Sequence, residues 1–168
     1  MIFAIDPGNI QSAYCVIDED QDEYIFLDFG KLPNKDAMNK MLFFLTNNSV
    51  DAVVIERIAS YGMAVGREVF ETCEWIGRFA QEAEKITDVE YIYRREEKMT
   101  ICGDMRAKDA NIRMALIDRF AKFDFKAGKG TKKNPDVFYG MAADMWAACA
   151  VGVTYLDKVR KRSDISWL

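Results

Sequence analysis

Three acidic side chains stand in surroundings that make an ionised group expensive. Asp6 closes the apolar run Ile2-Phe3-Ala4-Ile5 just before Pro7-Gly8 turns the chain, and Glu56 closes Val53-Val54-Ile55. Asp144 sits inside Gly140-Met141-Ala142-Ala143-Asp144-Met145-Trp146-Ala147-Ala148, a stretch of small and apolar residues. A carboxylate taken out of water without compensation costs several kcal/mol, so each needs a partner. Singly, plain partners suffice: Asp6 and Glu56 could cap turns, and Asp144 could pair with Arg57 or a lysine. Together, at the ends of two core strands and in a small-residue helix, they point to a hard divalent cation. Mg²⁺ or Mn²⁺ takes a few carboxylates plus water and substrate phosphate, and needs neither imidazole nor thiolate.

The rest of the composition narrows the chemistry. The 168 residues contain no histidine, which excludes a Ser-His-Asp triad, a Cys-His pair, a His-ligated zinc and an imidazole base. Cys15, Cys73, Cys102 and Cys149 are widely spaced with no C-x-x-C pair, so free thiols are expected rather than a zinc ribbon or a disulfide framework. Half the chain is hydrophobic and 30% charged, as in one globular domain spanning residues 1–168. With no basic-then-apolar leader and no apolar run of membrane-spanning length, a soluble, cytoplasmic protein without a membrane partner is expected.

The elements that must position the carboxylates follow from periodicity. β-branched and aromatic residues predict strands over 2–6, 12–17 and 24–30, with the acidic tract 18–23 as a polar hairpin loop. Met38, Met41, Leu42 and Leu45 recur at helical spacing and predict a helix from Asp36 to Asn47. The run 51–56 predicts a strand buried on both faces. A helix over 63–85, a strand over 89–93, a helix over 107–121, a basic loop over 127–134 and a last helix over 137–158, opened by Asn134-Pro135, complete the chain. Three antiparallel strands followed by α/β units describe an RNase H-like fold, a five-stranded mixed sheet with helices on both faces.

Charge is unevenly distributed. The net charge of −4 resolves into −10 over residues 1–93, +6 over 94–133 and 0 over 134–168. A basic strip on an otherwise acidic protein suits a polyanionic partner, and a solvated charged face is the alternative.

Ile5-Asp6-Pro7-Gly8, Val54-Ile55-Glu56 and Ala142-Ala143-Asp144-Met145-Trp146-Ala147 resemble the three signature segments of the RuvC family of Holliday junction resolvases, in the same order. Lys98-Met99-Thr100-Ile101-Cys102-Gly103, followed by Arg106-Ala107-Lys108, resembles that family's lysine-bearing stretch. The resemblance covers residues 2–156. It implies a metal-dependent, structure-selective endonuclease that resolves four-way DNA junctions by paired nicking, as a homodimer. It further implies two Mg²⁺ or Mn²⁺ ions bridged by Asp6 and held by Glu56 and Asp144, with Lys98 and Lys108 near the scissile phosphate. Arg94, Arg95, Arg106, Arg113, Lys129, Lys132 and Lys133 are candidates for contacts to the DNA backbone, and Tyr61, in the loop after Glu56, for stacking on an opened base pair or for plain packing. The 63–85 helix has apolar surface to spare for an isologous contact.

One departure stands out. The family places an acidic or metal-binding residue three positions before its last aspartate, and here that position is Met141, whose soft thioether does not suit a hard ion. Either Asp136 reaches in, its other reading being a residue favoured at a helix N-terminus, or one ion is held by fewer ligands; an atypical, phage-type branch is implied. Two competing readings are a junction-binding module without catalysis and another RNase H-like nuclease. An exonuclease of that architecture carries Asp-x-Glu in its first strand, which Asp6-Pro7-Gly8 does not.

Overall fold

The computed structural model describes residues 1–60, 62 and 64–165, with side chains as far as Arg162. Strands β1 (Ile2–Asp6), β2 (Gln11–Asp20), β3 (Glu23–Pro33), β4 (Ala52–Arg57) and β5 (Asp88–Tyr93) form one sheet in the order β3-β2-β1-β4-β5. β1 pairs antiparallel with β2, and β2 with β3; β1 and β5 flank β4 in parallel. The expected mixed sheet, with its first three strands antiparallel, is the one observed.

Strand parity divides the core. Ile2, Ala4, Cys15, Ile17, Ala52 and Val54 point to one face, where α4 (Asp109–Phe120) and α5 (Met145–Ile165) cover them. Phe3, Ile5, Tyr14, Val16, Val53 and Ile55 point to the other, under α1 (Asn34–Asn47) and α2 (Arg67–Ala83). β1 and β4 are apolar on both faces because helices cover both. α5 approaches β1 closely at Gly152, where a Cβ would stand 2.7 Å from Ile17 Cδ1 and 3.1 Å from Ala4 Cβ. After β5 the chain turns through the short α3 (Arg94–Glu97) into a π-helical turn, Lys98–Cys102.

The last helix departs from its sequence expectation. It begins at Met145 rather than near Val137. Asp136 does not open a helix; its carboxylate accepts the backbone N–H groups of Lys122 (2.9 Å), Phe123 (3.1 Å), Asp124 (2.7 Å) and Val137 (2.8 Å). The positive φ of Gly140 (88°) and Ala143 (45°) then interrupts any helix upstream of Met145. The four cysteines are free thiols, and no helix among the described residues is long and apolar enough to cross a membrane.

Candidate active site

Parity and register explain how distant carboxylates meet. Asp6 follows Ile2 and Ala4 in phase, and Glu56 follows Ala52 and Val54, so both project to the face under α5. The parallel register pairs Ile5 with Ile55, which makes Asp6 and Glu56 the next neighbours at the ends of adjacent central strands. Their side chains are hydrogen-bonded to each other, and each is pushed to bind its proton more tightly than usual. For Asp6 the causes are burial, then the charge and hydrogen bond of Glu56, then the charge of Asp144. For Glu56 burial is the largest cause, opposed by the hydrogen bond with Asp6 and the charge of Arg94.

Asp144 lies just ahead of α5, not within a helix, and accepts the first turn's N–H groups of Ala147 and Ala148 on its backbone carbonyl. Its side chain is half exposed and ion-paired with Lys31. Of the two expected partners it is therefore a lysine that pairs with Asp144, and not Arg57, whose guanidinium lies over the Tyr91 ring. Lys31 carries no signal in the sequence, yet register accounts for it: Lys31 pairs with Ala13 and Ala13 with Asp6, so a row Lys31–Ala13–Asp6 crosses three strands on the face that Glu56 also shares.

Glu97 is a further acidic residue that sequence reasoning does not single out. It is fully buried, its Oε2 accepts from Arg94 Nη1, and its Oε1 has no partner. Burial, reinforced by the charges of Glu56 and Asp6 and opposed by Arg94, pushes its carboxyl up to about 9. Arg94 also reaches Asp109 at 2.5 Å, its charge acts on Asp6 and Glu56, and its partly exposed side chain lines the clefts beside both Glu56 and Asp144.

The other basic candidates fall into groups. Arg95 and Lys98 line a cleft of about 480 Å³ together with Glu56 and Arg94. Arg113 lines a smaller cleft with Asp144 and lies 5.1 Å over the Trp146 ring. Lys108 is exposed at the start of α4, Arg106 is exposed beside Asp104, and Lys132 and Lys133 are exposed on the basic loop, with Lys129 half-buried. Tyr61 lies outside the described residues. Asp136 does not reach the site, because its oxygens are taken by four backbone N–H groups that outweigh its burial and hold its carboxyl at about 2. Met141 is fully enclosed in the core.

The donor set is all oxygen and suits a hard divalent cation, and Glu97 Oε1 is a buried carboxyl oxygen without a partner among the described residues. Among the described residues no group of three or more acidic or cysteine side chains is arranged so as to hold a metal ion. Asp6 and Glu56 adjoin each other, Lys31 holds Asp144, and a cation that binds all three would have to draw Asp144 away from that lysine.

No protein-family model and no curated protein matches the sequence. Solved structures do. Thermus thermophilus RuvC superposes with a TM-score of 0.66 at 17% identity over 95% of both chains. The same protein in complex with a Holliday junction substrate gives 0.67 at 14%, over 95% of this chain and 94% of that one. Fowlpox virus resolvase, in complex with substrate Holliday junction DNA, gives 0.54 at 14%, over 94% and 99%. The chain therefore carries, nearly end to end, the RNase H-like fold of these resolvases.

Proposed function

We propose that the protein is a divalent-metal-dependent endonuclease that nicks branched DNA, with the four-way junction as its principal substrate. The observation that carries this reading is the Asp6–Glu56 pair at the ends of two adjacent central strands, with Asp144 close enough for its charge to act on Asp6. It stands in a fold shared over almost the whole chain with resolvases, two of them in complex with Holliday junctions.

Asp6, Glu56 and Asp144 would hold Mg²⁺ or Mn²⁺. Two such ions, when bound, lower the pKa of the attacking water and stabilise charge on the phosphate and the leaving 3′ oxygen. Asp6, on which the charges of both Glu56 and Asp144 act, is the natural shared ligand. Lys98, in the cleft beside Glu56, is placed to meet phosphate charge, with Arg95 next to it. Arg113 serves the Asp144 side, while Lys108, Arg106, Lys129, Lys132 and Lys133 extend the basic surface along the arms of the DNA. Acting on a two-fold symmetric junction calls for two active sites. Phe70, 61% exposed on α2, gives that helix an apolar surface for a second copy.

The second reading, a junction-binding module without catalysis, is favoured by Met141 in the core and by the Lys31–Asp144 pair. A nicking assay on a synthetic four-way junction decides between them. Paired nicks with Mg²⁺ or Mn²⁺, abolished by chelation and by Asp6→Asn while binding persists, support the nuclease. Binding without cleavage under either ion leaves the module.

A further inference from the structure

Glu97 has a geometry that an ordinary structural ion pair does not explain. It is 0% exposed at the end of α3, and among the described residues its only side-chain partner is one nitrogen of Arg94. A buried arginine–carboxylate pair ordinarily closes with both oxygens on both nitrogens. Here the guanidinium forks: Nη1 goes to Glu97 Oε2 and Nη2 to Asp109 Oδ1, which leaves Glu97 Oε1 buried with nothing to accept. An unmatched oxygen of this kind costs on the order of 1–3 kcal/mol, more when charged, and calls for an explanation such as an ion that it would meet. Glu97 lies close enough to Glu56 and Asp6 for their charges to act on one another.

Charge balance points the same way. Two divalent cations carry four positive charges, and Asp6, Glu56 and Asp144 supply three negative ones; Met141 adds none. Asp136 is saturated by backbone N–H groups. Asp109 is exposed and paired with Arg94. We infer that Glu97 is the fourth carboxylate of the metal centre, its free Oε1 turned to the cation side while Arg94 fixes the other oxygen. This rests on the metal-dependent reading above and adds a ligand to it.

The test is Mn²⁺ binding to the full-length protein without DNA, followed by electron paramagnetic resonance, alongside melting temperatures in EDTA and in Mn²⁺. Glu97→Gln is expected to weaken Mn²⁺ binding by at least about tenfold. It should also shrink the Mn²⁺-induced rise in melting temperature, with no fall in EDTA. A lower melting temperature in EDTA with Mn²⁺ affinity unchanged would mean that Glu97 serves only Arg94, and overturns the inference. Should Glu97→Gln not fold, Arg94→Met with Glu97→Gln removes the pair as a unit and is compared with Arg94→Met alone; equal Mn²⁺ affinity in the two overturns it. Wild-type protein that binds no Mn²⁺ and cuts no junction brings down the metal-dependent reading itself. Wild-type protein that binds and cuts beside an unaffected Glu97→Gln brings down this ligand only.

Discussion

The Lys31 ammonium, near the end of β3, is ion-paired with the Asp144 carboxylate 113 residues further along the chain. Lys31 at Asp144 and Arg94, whose charge acts on Asp6 and Glu56, are thus two basic groups set against the three carboxylates. A cation that draws on Asp144 must compete with Lys31. Partly exposed pairs of this kind are worth up to about 1 kcal/mol, so Lys31→Met should tighten Mn²⁺ binding by at most about fivefold. Titration of Mn²⁺ in the absence of DNA checks this; weaker binding in the variant would place Lys31 among groups that support the site rather than oppose the ion.

The two buried carboxyls Glu97 and Asp136 show why a sequence discloses some sites and hides others. The central strands are legible because β1 and β4 are continuous apolar runs, and the parity of Asp6 and Glu56 follows directly from them. Glu97 is not, since Arg-Arg-Glu-Glu-Lys is a run of charged residues without periodicity and only tertiary packing buries it. Periodicity starts the last helix too early, near Val137, because Asp136 resembles a helix-opening residue, whereas tertiary hydrogen bonds from residues 122–124 claim its carboxylate. The ion pairs of Arg94 with Glu97 and Asp109 are equally invisible in the sequence, because ion pairing inside a fold leaves no periodic mark.

Asp136 gives a pH signature with a definite sign. Its carboxyl is held at about 2 in the fold, below its ordinary 3.8, so the stability it contributes is present above about 3.8 and is lost as pH falls towards 2. Asp136→Asn, which does not titrate and cannot accept four N–H groups as an anion, should be about 2 kcal/mol less stable at neutral pH. Thermal melts of both proteins from pH 7 to 2 should converge at the acid end. A gap that persists unchanged to pH 2 would remove the ionised carboxylate from the account.

The basic loop is anchored by Asp124 and Asp136, which leaves Lys132 and Lys133 exposed on an ordered support. Replacing both with alanine should weaken junction binding and lower the slope of log affinity against log salt by about 0.9 for each phosphate that is no longer neutralised. Fluorescence anisotropy across a salt series measures the slope, and an unchanged one takes the loop out of the interface.

Phe70 on α2 is 61% exposed, and in the proposed dimer it seats the second copy. Phe70→Asp should leave the melting temperature nearly unaltered while shifting sedimentation from dimer to monomer and converting paired nicks into single ones. A dimer that survives the substitution would direct the pairing to another face.

The most direct test of the metal centre is anomalous scattering from a crystal soaked in Mn²⁺. The account predicts peaks within about 2.5 Å of carboxylate oxygens of Asp6 and Glu56, with Asp144 turned away from Lys31 to share an ion. Mn²⁺ bound only elsewhere, with Asp6 still hydrogen-bonded to Glu56 and Asp144 still on Lys31, would contradict it.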